Sequence, residues 1–167
     1  MDSVPHRLDA LERAPSLVIP LVREVPSVML KRRPAPRQWS AHEHACHLAA
    51  VHDLFCDRLE YMLSHPAPVI TPYDPGTQDA DDALLRVDLR MALETYAQER
   101  ARLVSRLRHL AVDDWQRTAA HGEYSHYSVF IMCRHLALHD FLHAYRIEEL
   151  LLKREWASDW RAAQQSP

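Results

Sequence analysis

With only two glycines, Gly76 and Gly122, a chain of 167 residues has little material for tight hairpins or phosphate-cradling loops. Its prolines punctuate rather than fill. Between them run long stretches rich in Leu, Ala, Arg and Glu, residues that favour helix. The expected class is therefore all-α. The length fits one domain over residues 1–167, and 47% hydrophobic residues suffice for a real core.

Four helical stretches can be read. The first runs from about Val4 to Val25 on the stripe Leu8, Leu11, Leu17, Leu21 and Val22. Pro15 and Pro20 each remove an amide donor and predict a kink or division there. A loop follows, Lys31 to Trp39. Ser40 and Glu43 form an S-x-x-E capping box that starts the second helix sharply. That helix is expected to reach about Ser64, with Leu48, Val51, Phe55, Leu59 and Met62 inward. After a proline-rich segment, Pro66 to Gly76, the acids Asp79, Asp81 and Asp82 suit the start of a third helix, about Ala80 to Leu110. Ala111 to Tyr127 reads as an irregular connection with a short turn at Asp113-Asp114-Trp115. Ser128 caps a fourth helix to about Lys153, with Met132, Leu136, Ile147 and Leu150 on its apolar face. A short last helix is expected near Ala157 to Ala163. Four long helices of this kind make a four-helix bundle.

Several function classes are disfavoured. A net charge of −3 gives no electrostatic reason to expect nucleic acid as a partner. The basic run Lys31-Arg32-Arg33, with Arg37, is short and broken by Pro34 and Pro36. No apolar run approaches a membrane span, and no signal peptide is visible at Met1 to His6. Cys46, Cys56 and Cys133 lack paired spacing, so buried thiols in a reducing cytoplasm are expected. Cys46 adjoins His47, but adjacent helical side chains diverge and do not make a catalytic pair. Nucleophile elbow, P-loop and dinucleotide motifs are all lacking.

The histidines carry the chemistry. His139 and His143 are four apart and point to one side of a helix, so one divalent metal can take both. A third imidazole from the second helix, such as His47, would leave open positions for water or substrate. Spacing alone leaves alternatives. His135 with His139 is also an i, i+4 pair, and His44 and His52 compete with His47. A di-iron carboxylate bundle fits poorly, because the required Glu-x-x-His pairs are missing.

The stretch Arg33-Pro34-Ala35-Pro36-Arg37-Gln38-Trp39-Ser40-Ala41-His42-Glu43-His44-Ala45-Cys46-His47-Leu48, followed far downstream by His139-Asp140-Phe141-Leu142-His143, resembles the DinB-like superfamily of bacterial metal-binding bundles. The resemblance covers roughly Leu8 to Leu151. It implies an up-up-down-down four-helix bundle and a metal, often nickel or zinc, held by His47, His139 and His143 rather than by His135 or His44. It also implies frequent homodimers. Activities in the family include transferases and isomerases that use low-molecular-weight thiols such as bacillithiol or mycothiol, and some members are described as metal-dependent hydrolases. The expected function is a metal-dependent enzyme acting on a small molecule, activating water or such a thiol. The alternative is a non-catalytic, metal-binding, dimeric stress-associated protein. Glu43 and Asp140 are candidates to orient a ligand imidazole or bound water, and Trp39 is a candidate pocket wall alongside Tyr124 and Tyr127. Arg146 stands near a position where many relatives carry Gln. It would grip a carboxylate if it faced the pocket, or else pair with Glu149 or Glu99 at the surface.

Overall fold

The computed structural model describes residues 4–73 and 82–156. Its first helix, α1, spans Val4–Glu24 without a break at Pro15 or Pro20. Leu11, Ala14, Val18 and Val22 recur at three- and four-residue steps and are buried. Pro20 is exposed and Pro15 half-buried, so the buried stripe runs past both. Packing of that stripe outweighs the missing amide donors, and the expected division does not occur.

After a short helix α2 (Ser27–Leu30), the capping box forms as expected: the Glu43 amide donates to Ser40 Oγ at 3.3 Å, and the Ser40 amide donates to Glu43 Oε2 at 2.9 Å. The expected second helix is two helices, α3 (Ala41–Ala50) and α4 (His52–Ser64). Val51 between them still donates to the His47 carbonyl at 3.0 Å and accepts from the Phe55 amide at 3.3 Å, so the two pieces continue as one rod. The third helix likewise divides, into α5 (Ala83–Arg86) and α6 (Leu89–Arg108). Asp88, not the upstream acids, caps the long piece by accepting from the Met91 amide at 2.8 Å. Asp79, Ala80 and Asp81 lie outside the described residues, as does the segment Ala157 to Ala163. Ser128 caps α7 (Val129–Leu151) by accepting from the Ile131 amide at 3.2 Å.

The connections hold a small sheet where irregular chain was expected. Strands β1 (Val69–Ile70) and β2 (Thr118–His121) pair in parallel, with Val69 opposite Ala120 and Ile70 opposite His121. β2 pairs antiparallel with β3 (Tyr127–Ser128), with Ala119 opposite Tyr127. These strands are too short for an alternating pattern to mark them. Just beyond β2, a Cβ on Gly122 would come within 3.1 Å of Pro72 Cγ, so glycine lets the two connections touch. The expected turn is present at Asp114–Gln116.

Four long helical rods, α1, α3–α4, α6 and α7, make the bundle around two apolar cores. One core joins Leu11 of α1, Phe55 and Leu59 of α4, Leu103 and Leu107 of α6, and Met132 and Leu136 of α7. The other joins Val18 and Val22 of α1, Ala45 and Leu48 of α3, Leu93 and Tyr96 of α6, and Ala144 and Ile147 of α7. Chain order therefore runs up, down, down, up: α1 and α7 point one way, α3–α4 and α6 the other. This keeps the two-up, two-down arrangement, but the chain enters it one helix out of phase with the up-up-down-down order that the resemblance implies. The end of α4 and the start of α6 lie at opposite ends of the bundle, while the connection before α7 carries β2 and β3.

A polar layer separates the two cores. Arg100 of α6 donates through Nη2 to Asp140 Oδ1 of α7 at 2.9 Å, and both residues are 0% exposed. Arg100 also lies over the Tyr96 ring, 5.3 Å from its centroid. Burial pushes the Asp140 carboxyl up to about 6 against the pull of Arg100. Removing one partner of a buried pair strands the other charge. Arg100→Met is expected to lower stability by about 3 kcal/mol or more at neutral pH, and Arg100→Met with Asp140→Leu to recover most of that loss. Urea unfolding of the three proteins tests the pair.

Candidate metal centre

The same polar layer brings three histidines from two helices together. His47 stands on the last turn of α3, and His139 and His143 stand one turn apart on α7. His139 Nε2 lies 3.1 Å from His47 Nε2 and 3.1 Å from His143 Nε2. One nitrogen from each of the three rings falls within 4.8 Å of the others. His135 and His52 stand apart from this group. His135 lies beside Phe55 and Tyr124, and His52 Nε2 contacts Cys56 Sγ at 3.1 Å.

Hydrogen bonding alone does not satisfy these rings. His139 Nε2 has either one hydrogen or one lone pair, yet it faces two nitrogens. Its Nδ1 is buried, with no hydrogen-bond partner among the described residues. Burial, reinforced by the neighbouring imidazoles, pushes His139 down to about 3 and His143 further below its ordinary value. Both rings are therefore neutral, with lone pairs available for a cation. Three converging imidazole nitrogens fit a divalent ion of the zinc or nickel type.

His44 sits behind this set. Its Nδ1 lies 2.8 Å from His143 Nδ1, on the side of the ring opposite the converging Nε2 atoms. Burial, then the charge of His47, pushes His44 down to about 4. Trp39 packs against His47 and His143, with ring centroids 4.6 and 5.8 Å away. It also walls a cavity of about 350 Å³ that opens from His47, His139 and His143 and is bounded by Phe55, Tyr73, Tyr124 and Tyr127.

The remaining expected contributors are placed elsewhere. Glu43 is turned to its cap, bonded to Arg33 and to the Ser40 amide and hydroxyl. Asp140 is held by Arg100. Arg146 pairs with Glu149 at 2.7 Å on the surface and borders a separate groove with Arg37, His44 and Lys153, not the histidine cavity. The cysteines are poor nucleophiles: burial pushes Cys56 up to about 11, and Cys46 and Cys133 up to about 12. Among the cavity residues that escaped the sequence reading are two polar ones, Arg58 of α4 and His121 of β2. Arg58 had a signal, since it stands three helical turns beyond His47. His121 had none, because the β pairing that places it is long-range.

The sequence profile of the DinB superfamily matches residues 10–147. A search of the curated proteins gives no match. Among solved structures, YfiT from Bacillus subtilis, described as a probable metal-dependent hydrolase with an unusual four-helix bundle topology, superposes with a TM-score of 0.79 at 20% identity. The superposition covers 87% of this chain and 84% of that one.

The depressed imidazoles make the metal-free protein acid-sensitive. Unfolded, His44, His139 and His143 titrate near 6.5; folded, they stay neutral well below that. The unfolded chain therefore binds more protons below pH 6.5, and stability falls as pH drops through the window toward 4. Asp140, raised from 3.8 to about 6, opposes this as one group against three. The urea midpoint of chelator-treated protein is expected to decline between pH 6.5 and 4.5, and the decline to be shallower in a His139→Ala, His143→Ala variant.

Proposed function

From the premise that this chain belongs to the DinB superfamily, we propose that it is a metal-dependent hydrolase of small molecules, with a divalent ion held by His47, His139 and His143. The convergence of three imidazoles, His47 and His143 buried and His139 half-buried, at one end of an aromatic-walled cavity carries this reading. The description of YfiT as a probable metal-dependent hydrolase agrees with it.

When bound there, a divalent ion supplies Lewis acidity that polarises a carbonyl or phosphoryl group and makes water a nucleophile near neutral pH. The chain's own residues do the rest. His47, His139 and His143 would hold the ion through ring nitrogens, at the edge of the cavity that they line. With a metal on Nε2, His143 would carry its hydrogen on Nδ1, within bonding distance of His44 Nδ1 at 2.8 Å, and that bond would hold the tautomer. Trp39 covers the His47 and His143 rings and limits water around them. Zinc and nickel suit an all-imidazole set.

A homodimer is also proposed. Leu138, Phe141, Leu142 and Tyr145 form an exposed apolar stripe on the outer face of α7, and a second copy of the chain is the occupant proposed for it. Sedimentation of the wild type as a dimer, and of Leu142→Glu as a monomer, is the expected outcome.

Elemental analysis of untagged protein purified without chelator is expected to give about one metal per chain, lost in the His139→Ala, His143→Ala variant. His44→Phe should weaken metal affinity about 10- to 100-fold, while His44→Gln, which keeps an acceptor, should lose less. Turnover of ester and amide substrates is expected without added thiol. A strict requirement for a low-molecular-weight thiol would replace hydrolysis with thiol transfer, and wild type that takes up neither zinc nor nickel would end the metal reading.

A further inference from the structure

The cavity has a second polar end away from the three histidines. We propose that this end, built by Arg58 and His121, binds the anionic group, a carboxylate or phosphate, of a small substrate with an aromatic or apolar body. This rests on the hydrolase reading and names the substrate class for that site.

Arg58 and His121 both offer donors at this end. Arg58 is half-buried and tied in place by one bond, Nη2 donating to the Thr71 carbonyl at 2.6 Å. The buried Tyr127 side chain lies close by. Among the described residues no ion pair joins Arg58 to a carboxylate, so part of its five-donor fork remains for a ligand. His121 adds another donor. Its Nδ1 accepts the Glu123 amide at 3.1 Å, which leaves the ring hydrogen on Nε2. Burial and the charge of Arg58 keep that ring neutral. His121 packs against Tyr124 and Tyr127, tilted to both rings and 4.6 Å from each between centroids.

A guanidinium and an imidazole N–H together ask for a group with acceptors only, which describes a carboxylate or a phosphate. The Glu123 carboxylate also borders the cavity, but it is exposed at the rim and opens to water. Between the two polar ends, Phe55, Tyr73 and Tyr124 offer apolar surface, and about 350 Å³ admits one small molecule. A substrate anchored by its anion at Arg58 would lay its apolar body along these rings and present its reacting bond to the histidines.

Calorimetric titration with phenylacetate, phenylphosphate and the uncharged phenylacetamide tests this. The titrations use protein as purified, Arg58→Gln, His121→Phe, and the His139→Ala, His143→Ala variant, with metal content and melting temperature measured for each. The expected result is that one or both anions bind at least about tenfold more tightly than the amide, and that Arg58→Gln abolishes this preference without loss of metal. His121→Phe leaves the Thr71 tie intact and should weaken the anions about threefold or more. The preference should persist in the double-histidine variant, because Arg58 rather than a metal makes it. A preference for phenylphosphate identifies phosphate as the anion, and one for phenylacetate a carboxylate. The proposal is overturned if the preference survives both Arg58→Gln and His121→Phe. It is overturned equally if the preference vanishes only with the histidine pair, which would place the anion on the metal. Absence of metal in the wild type would defeat the hydrolase reading but leave the Arg58-dependent preference measurable on its own.

Discussion

The ion pair between Arg100 and Asp140 sets the middle of this bundle. Two apolar cores, one toward each end, would tolerate small rotations of their helices, since methyl and methylene groups pack without direction. A guanidinium and a carboxylate buried together do not. Asp140 reaches across to α6, and the 100° step of the helix then turns the preceding residue, His139, toward α3. His143, one turn on, follows it to the same side. A buried pair of this kind contributes little net stability compared with well-packed apolar side chains. What it contributes here is the rotation of α7, and with that the meeting of His139 and His143 with His47.

Burial does the chemical preparation at the same site. An imidazole in water is protonated below about 6.5 and repels cations. In this layer desolvation comes first and the neighbouring rings second, and both hold His139 and His143 neutral. The same cost makes the cluster unfavourable unless something uses its lone pairs. His44 uses one of the remaining ring nitrogens from behind, at 2.8 Å from His143. Trp39 then divides the space, with the histidine cavity on one side and the groove of Arg37, Arg146 and Lys153 on the other. The surface groove and the histidine cavity are thus adjacent but distinct, and Arg146, on the groove side, meets Glu149.

Local signals were legible in the sequence, and long-range ones were not. The Ser40–Glu43 box and the Ser128 cap act within three residues and stand where the sequence placed them. The i, i+4 spacing of His139 and His143 set their shared direction. Spacing could not choose between His44 and His47, because both stand on the inner side of α3 and both reach α7. That choice came from the family resemblance. The breaks at Val51 and at Val87–Asp88 lack proline and glycine, so no residue type announces them. The strands escaped because two-residue pairings owe their existence to partners some fifty residues away. The direction order escaped for a similar reason: it is decided by which ends of the helices share a core.

Those unheralded pairings determine what the cavity can select. Its floor is helical, with the histidines on α3 and α7 held by the core and by the Arg100–Asp140 layer. Its far end is made where the two long connections meet, β1 against β2, with Gly122 passing close over Pro72. Arg58 spans the two parts, leaving α4 and bonding the Thr71 carbonyl immediately after β1. The Arg58–His121 end therefore depends on loop-borne contacts, and the three-histidine end on bundle packing. Loops accept change at lower cost than a packed layer does. Within this architecture, substitutions around His121 and Thr71 would alter which small molecule is held while leaving the three-histidine arrangement intact. The separation follows from the two-up, two-down order itself, because it sets the end of α4 and the start of α6 at opposite ends of the bundle, while β1 meets β2 at the mouth of the cavity.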